Sequence, residues 1–79
     1  MHVKIYGKDQ CAFCIRAKEL AIQLQGQGKL TYEYIDLQEA GMGAAELGEL
    51  VGRPVRTVPQ ILIDDKPIGG YTEFSKFST

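Results

Sequence analysis

The sequence predicts an α/β fold in the order β-α-β-α-β-β-α, with a four-stranded mixed sheet flanked by helices. Three observations carry this. Short β-rich segments recur between stretches of helical spacing. The early strand–helix–strand passages are long enough for crossovers, which points to parallel pairing of the early strands. The last two strands are separated only by Asp64-Asp65-Lys66, a turn that suits an antiparallel hairpin.

Val3-Lys4-Ile5-Tyr6 alternates and reads as the first strand, and Gly7-Lys8-Asp9-Gln10 as a loop. From Cys11 the pattern turns helical. Cys14, Ala17, Ala21 and Leu24 fall on one side with Leu20, while Arg16, Glu19 and Gln23 make the solvated face. Gly26 and Gly28 end this helix. Leu30 to Asp36 is the second strand, with Tyr32 and Tyr34 read as strand packing. Gly41-Met42-Gly43 loosens the chain before a short helix, Ala44 to Val51, whose buried side is Leu47, Leu50 and Val51 and which Gly52 stops. Residues 52–56 connect to Gln60-Ile61-Leu62-Ile63, a continuously apolar third strand. Pro67-Ile68-Gly69 is a fourth, placed on the sheet edge because proline cannot donate to a ladder. Gly69-Gly70 lead into a terminal helix around Thr72 to Phe77.

Seventy-nine residues fit one small domain, residues 1–79, with a thin core. Hydrophobic residues at 44% and charged residues at 24% argue against disorder. No apolar run approaches the ~18–20 residues that span a bilayer. The apolar N-terminal stretch is too short for a secretory signal, so the expected compartment is the cytoplasm, where thiols stay reduced. A net charge of −1 without clustered Lys and Arg excludes a nucleic-acid footprint. The expected state is a monomer.

The chemistry centres on Cys11-Ala12-Phe13-Cys14. Two Cys and one His fall short of the four ligands of structural zinc, so no metal site is expected. A disulfide closing so small a loop stabilises little. A C-x-x-C beside a β-α-β pattern is a redox signal. At the first turn of a helix, unpaired amides and the dipole favour a thiolate, and such motifs show pKa values lowered to roughly 3.5–7.5. Cys11 comes first and is expected to be the more exposed and the more acidic. Cys14 lies one turn later on the buried face. Cys11 then attacks a substrate disulfide, and Cys14 or another thiol resolves the mixed disulfide. Lys8 either adds positive potential here or is a solvated loop lysine. His2 reads as a surface residue, not a general base.

Three stretches in order carry a resemblance across essentially the whole chain: Ile5-Tyr6-Gly7-Lys8 through Cys14, then Arg56-Thr57-Val58-Pro59-Gln60-Ile61, then Ile68-Gly69-Gly70-Tyr71. The chain resembles the glutaredoxins, thiol-disulfide oxidoreductases of the thioredoxin-like fold. The resemblance implies a single glutaredoxin domain with Cys11 as nucleophile, Cys14 as resolving cysteine and Pro59 as a cis-proline beside them. It implies no tightly bound cofactor and glutathione as co-substrate. The Val58 backbone would pair with the tripeptide as an added strand, flanked by Thr57 and Phe13. Gly70, Tyr71 and Thr72 would take the γ-glutamyl carboxylate at a helix start. Lys8 and Arg56 would meet the glycyl carboxylate, with Arg53 an alternative on the same loop. Disulfide-containing proteins are the implied substrates; ribonucleotide reductase is typical of the family, though no residue here names it.

The chain departs from the family's commonest motif at Ala12 and Phe13, which replace proline and tyrosine. Losing the proline frees an N–H and relaxes the turn, which shifts the redox poise. Thr72 stands where many members carry an acid, and is a candidate helix cap. The C-terminus is short for the family. Two alternative functions stay open at this point. One is a redoxin of the same fold fed by thioredoxin reductase. The other is a dimer binding an iron–sulfur cluster through Cys11 and glutathione thiols.

Overall fold

The computed structural model describes residues 1–77. The strands are β1 (His2–Gly7), β2 (Thr31–Asp36), β3 (Gln60–Ile63) and β4 (Lys66–Gly69). The helices are α1 (Ala12–Gly26), α2 (Ala44–Val51) and α3 (Tyr71–Phe77). One four-stranded sheet runs β2-β1-β3-β4. β4 lies on its edge, as Pro67 requires.

Pairing is parallel between β1 and β2, and antiparallel for β1 with β3 and β3 with β4. Only the first crossover therefore yields a parallel pair. The passage through α2 goes out and returns along residues 52–59, so β3 starts at the end of the sheet where β1 and β2 finish. β4 reverses again and finishes there too. Register fixes the result: Gly7 stands beside Asp36, Tyr6 beside Gln60, and Ile61 beside Gly69. The segment around Val58 and the start of α3 meet the head of α1 there, through Cys11 Sγ to the Val58 carbonyl and the Phe13 ring to Tyr71.

The two faces of the sheet bury separate clusters. Val3, Ile5, Ile61 and Ile63 pack with Ala17, Ala21 and Leu24 of α1 and with Phe74 of α3. On the other face Tyr6 and Leu62 pack with Leu47 and Val51 of α2. The spacing reading of α1 thus agrees with its burial. Leu50 does not: it is 45% exposed. Leu47 and Val51, four apart, already fill the sheet-facing stripe, which turns Leu50 toward solvent. Among the described residues no helix is long and apolar enough to cross a membrane.

The β3–β4 hairpin turns on Asp64 and Asp65, both with positive φ, at 49° and 69°. Two successive left-handed residues match the twist of a two-residue hairpin, and aspartate tolerates that region better than most side chains.

Candidate active site

Cys11 is the N-cap of α1, in extended conformation, and its Sγ accepts the Cys14 N–H at 3.3 Å. A hydroxyl or carboxylate oxygen usually holds this position; here a sulfur does. The Cys11 thiol also donates to the Val58 carbonyl at 3.7 Å. It is partly exposed, whereas Cys14 is fully buried, and both are free thiols. The expected difference in exposure is present.

Burial pushes the Cys14 thiol from 9.0 up to about 11, and its hydrogen bond with Cys11 adds to this. The Lys8 backbone and the Tyr34 side chain pull the other way. At neutral pH Cys14 therefore keeps its proton. Gly7 explains how the sulfur fits. A Cβ there would stand 2.9 Å from Cys14 Sγ and 2.5 Å from Tyr34 Oη. The last residue of β1 is small because a thiol and a phenol occupy its space. The Tyr34 hydroxyl donates to the Lys8 carbonyl at 3.4 Å, and burial pushes its pKa up to about 12.

Beyond Cys11 the surface divides at Thr57-Val58. The Val58–Pro59 peptide bond is cis. Gln60, only 7% exposed, donates from Nε2 to the Thr57 carbonyl at 2.8 Å and so braces this turn from inside. On one side lies a cleft of about 260 Å³ lined by Phe13, Val58, Pro59, Gly70, Tyr71 and Thr72. On the other lies a groove of about 180 Å³ that includes Lys8, Val55, Arg56, Thr57 and Val58. Arg53 lines the first cleft and Arg56 the second groove. The two arginines, interchangeable by sequence, are thereby separated. Phe13 is exposed and tilts against Tyr71 with ring centroids 6.0 Å apart, and the Arg16 guanidinium lies 5.4 Å from the Phe13 centroid.

The start of α3 is held differently from the expectation for Thr72. The N-cap is Gly70, whose carbonyl accepts the Phe74 N–H at 3.1 Å. Its own N–H donates to Glu73 Oε1 at 2.7 Å. That bond holds the Glu73 carboxyl below the usual range. Thr72 lies inside the first turn, exposed. Gly70-x-x-Glu73 is half of a capping box, a signal present in the sequence but weak without a hydroxyl at the cap. Gly69, at φ +115°, comes so close to Glu73 that a Cβ would stand 2.6 Å from its Oε1.

The predicted site residues thus gather at this end of the sheet; Pro59 and Cys14 are buried there, and the Cys14 N–H donates to Cys11 Sγ. Sequence reasoning missed Gly7, Gln60 and Glu73 as shaping residues, and it read Tyr34 as packing alone. His2 lies at the opposite end of the sheet, its ring nitrogens near Thr31 Oγ1 at 2.8 Å and Glu33 Oε1 at 3.5 Å. Among the described residues no group of three or more His, Cys, Asp or Glu is arranged to hold a metal ion.

The glutaredoxin family model matches residues 3–68. The chain is 48% identical over 75 residues to a glutaredoxin of Haemophilus influenzae, covering 94% of this chain and 86% of that protein. It is 41% identical over 76 residues to glutaredoxin 1 of Escherichia coli, covering 95% and 89%. The solved structure of reduced E. coli glutaredoxin matches with a TM-score of 0.87 at 40% identity, covering 98% of this chain and 92% of that one. A buckwheat glutaredoxin–glutathione complex matches with a TM-score of 0.75 at 29% identity, covering 96% and 66%. The sheet is therefore that of the thioredoxin-like fold. With a C-x-x-C at the head of its first helix and these relatives, the chain belongs to the glutaredoxin family of thiol-disulfide oxidoreductases.

Proposed function

We propose that this protein reduces protein disulfides and glutathione mixed disulfides through the Cys11/Cys14 dithiol, with glutathione as its electron source. One observation carries the reading. Cys11 Sγ meets the Val58 carbonyl on a ridge with a basic groove on one side and a glycine-walled cleft on the other. Glutathione has a thiol near its middle and a carboxylate at each end. Its cysteine would lie along the Val58 backbone, close to Cys11, with Thr57 and Pro59 holding that segment. Its γ-glutamyl end would enter the cleft at Gly70, Tyr71 and Thr72, with Phe13 as the outer wall. Its glycyl end would meet Lys8 and Arg56. The likeness to the buckwheat glutaredoxin–glutathione complex supports this placement.

The chemistry follows from the two thiols. Cys11, as thiolate, attacks one sulfur of a mixed disulfide; a new Cys11–glutathione disulfide forms and the protein thiolate leaves, taking a proton from water. The Cys14 amide donates to the Cys11 sulfur throughout, and such a donor bonds a negatively charged acceptor more strongly. A second glutathione then attacks, releasing oxidised glutathione and restoring Cys11. With a protein disulfide, Cys14 instead attacks Cys11 Sγ. The Cys11–Cys14 disulfide forms and the second substrate thiol departs. Two glutathiones return the two electrons.

Turnover of a glutathione mixed disulfide tests the reading. Electrons are supplied either by glutathione with its reductase or by thioredoxin reductase alone. Activity with glutathione is expected. Activity with thioredoxin reductase only would retain the fold and the Cys11 chemistry but remove the glutathione site from Lys8, Arg56 and Gly70 to Thr72. Cys14→Ser is expected to retain deglutathionylation and lose dithiol reduction.

A further inference from the structure

Cys14 poses a physical problem. To resolve a mixed disulfide it must become a thiolate, yet it is fully buried and burial opposes the charge. A buried thiolate needs hydrogen-bond donors brought to it. β1 and β2 supply the setting. Their parallel register sets Ile5 beside Tyr34 and Gly7 beside Asp36. The period-two alternation turns Val3, Ile5 and Gly7, with Tyr32 and Tyr34, toward α1. Tyr34 Oη and Cys14 Sγ then both crowd the point where a Gly7 Cβ would be.

We propose that Tyr34 is a positioning residue for the resolving step: its hydroxyl turns from the Lys8 carbonyl to the Cys14 sulfur as that sulfur becomes a thiolate, across the space that Gly7 leaves open. This rests on the reading of Cys14 as the resolving cysteine. The present bond to the Lys8 carbonyl is long, at 3.4 Å, and costs little to exchange. A phenol has one proton to donate, and a thiolate is a stronger acceptor than a carbonyl. Burial keeps that proton on Tyr34 far above neutral pH, so the residue donates and does not act as a base. The Lys18 ammonium, 5.1 Å from the Tyr34 ring centroid, favours the phenol as a donor. The titratable and charged groups around the pair are Cys11 and Lys18 on the α1 side and Asp36 on β2; Lys8, after β1, faces it with its backbone.

The step balances without a further reagent. The Cys14 proton passes to water. The thiolate attacks Cys11 Sγ, the Cys11–Cys14 bond forms, and the bond from Cys11 to glutathione breaks. Glutathione departs as a thiolate and takes up a proton. The Cys14 sulfur passes from thiol to disulfide, the glutathione sulfur from disulfide to thiol, and Cys11 stays disulfide-bonded throughout.

The test starts from protein carrying glutathione on Cys11, prepared at low pH and jumped across a pH series. Release of glutathione reports attack by Cys14. Release by added dithiothreitol from the same disulfide on a Cys14→Ser background serves as the reference. Tyr34→Phe, which keeps the ring and removes one hydroxyl, should lower the ratio of the two rates about tenfold, the effect of one hydrogen bond to a charged group. It should also raise the pH midpoint of release by about one unit. Lys18→Gln should act in the same direction, by about two- to threefold. An unchanged ratio, or both rates falling together with the midpoint fixed, would show that Tyr34 only packs and would overturn the proposal. If native protein releases glutathione no faster than Cys14→Ser, Cys14 is not the resolving cysteine. The parent reading then falls first and the role of Tyr34 falls with it.

Discussion

At the end of the sheet that holds His2, Thr31 and Asp64, polar groups find partners close by. The Asp64 N–H donates to the His2 carbonyl at 2.9 Å, the His2 N–H to Asp64 Oδ1 at 2.9 Å, and the Thr31 N–H to the Met1 carbonyl at 3.0 Å. At the end that holds Gly7, Val58 and Gly70, the chain carries a cis peptide, a glycine at φ +115° and two open clefts. One end ties β1, β2 and β3 to one another. The other presents backbone to whatever enters. A domain this small can leave its working edge open because the strands are fastened at the opposite edge.

Four substitutions or conditions probe that contrast. The largest effect is at the working end. Cys11→Ser should lower mixed-disulfide turnover by roughly 10³-fold or more, since an alcohol replaces the nucleophile. Serine is also a good N-cap, so the thermal midpoint should remain close to native. A large loss of stability would show that the sulfur is structural. Alkaline pH comes next. Cys14 is raised in the folded state, so its contribution is complete below about pH 9 and disappears as pH rises through about 11. The loss should be roughly 2–3 kcal/mol in urea titrations. Cys14→Ala should remove that slope and leave the later one from Tyr34. A native slope in the variant would refute the assignment.

Gly7→Ala should destabilise by about 1–3 kcal/mol, because the added methyl overpacks against Tyr34 and Cys14. Full native stability would mean that the space beneath Cys11 is looser than described. The smallest effect belongs to the fastened end. Asp65→Gly relieves a left-handed residue and should stabilise by about 0.5–1 kcal/mol. The ion pair it removes, Lys4 to Asp65 at 3.6 Å, is exposed and offsets little of that gain. Turnover should be unchanged, because both residues lie far from the clefts. A drop in activity would break the contrast between the two ends.

Much of this was readable from residue order. The helical spacing of Cys14, Ala17, Ala21 and Leu24 identified the buried face of α1, and Pro67 identified the edge strand. The motifs at Cys11, at Thr57 to Pro59 and at Gly70, far apart in sequence, come together at one end of the sheet. What could not be read depends on contacts between distant segments. The antiparallel direction of β3 follows from the return of residues 52–59, which no local period encodes. Tyr34 looks identical to Tyr32 along the strand, and only the parallel register with β1 brings it to Gly7 and Cys14. Arg53 and Arg56 stand three positions apart on one loop, but the turn between them faces opposite clefts. Leu50 is apolar on a short helix, and its exposure follows from how little sheet α2 has to cover.

α3 spans seven residues, far fewer than the ~12–15 at which an isolated helix becomes even marginal in water. It persists because Phe74 is fully buried against α1 and the sheet. The wall formed by Gly70, Tyr71 and Thr72 therefore exists only while that one ring is docked. Occupancy of the cleft and docking of the helix are two readings of a single equilibrium. A ligand held by the wall should slow amide exchange in the last turn of α3, where it makes no contact. Shortening Phe74 should weaken ligand affinity as well as lower the melting temperature, because the same ring also packs against the sheet.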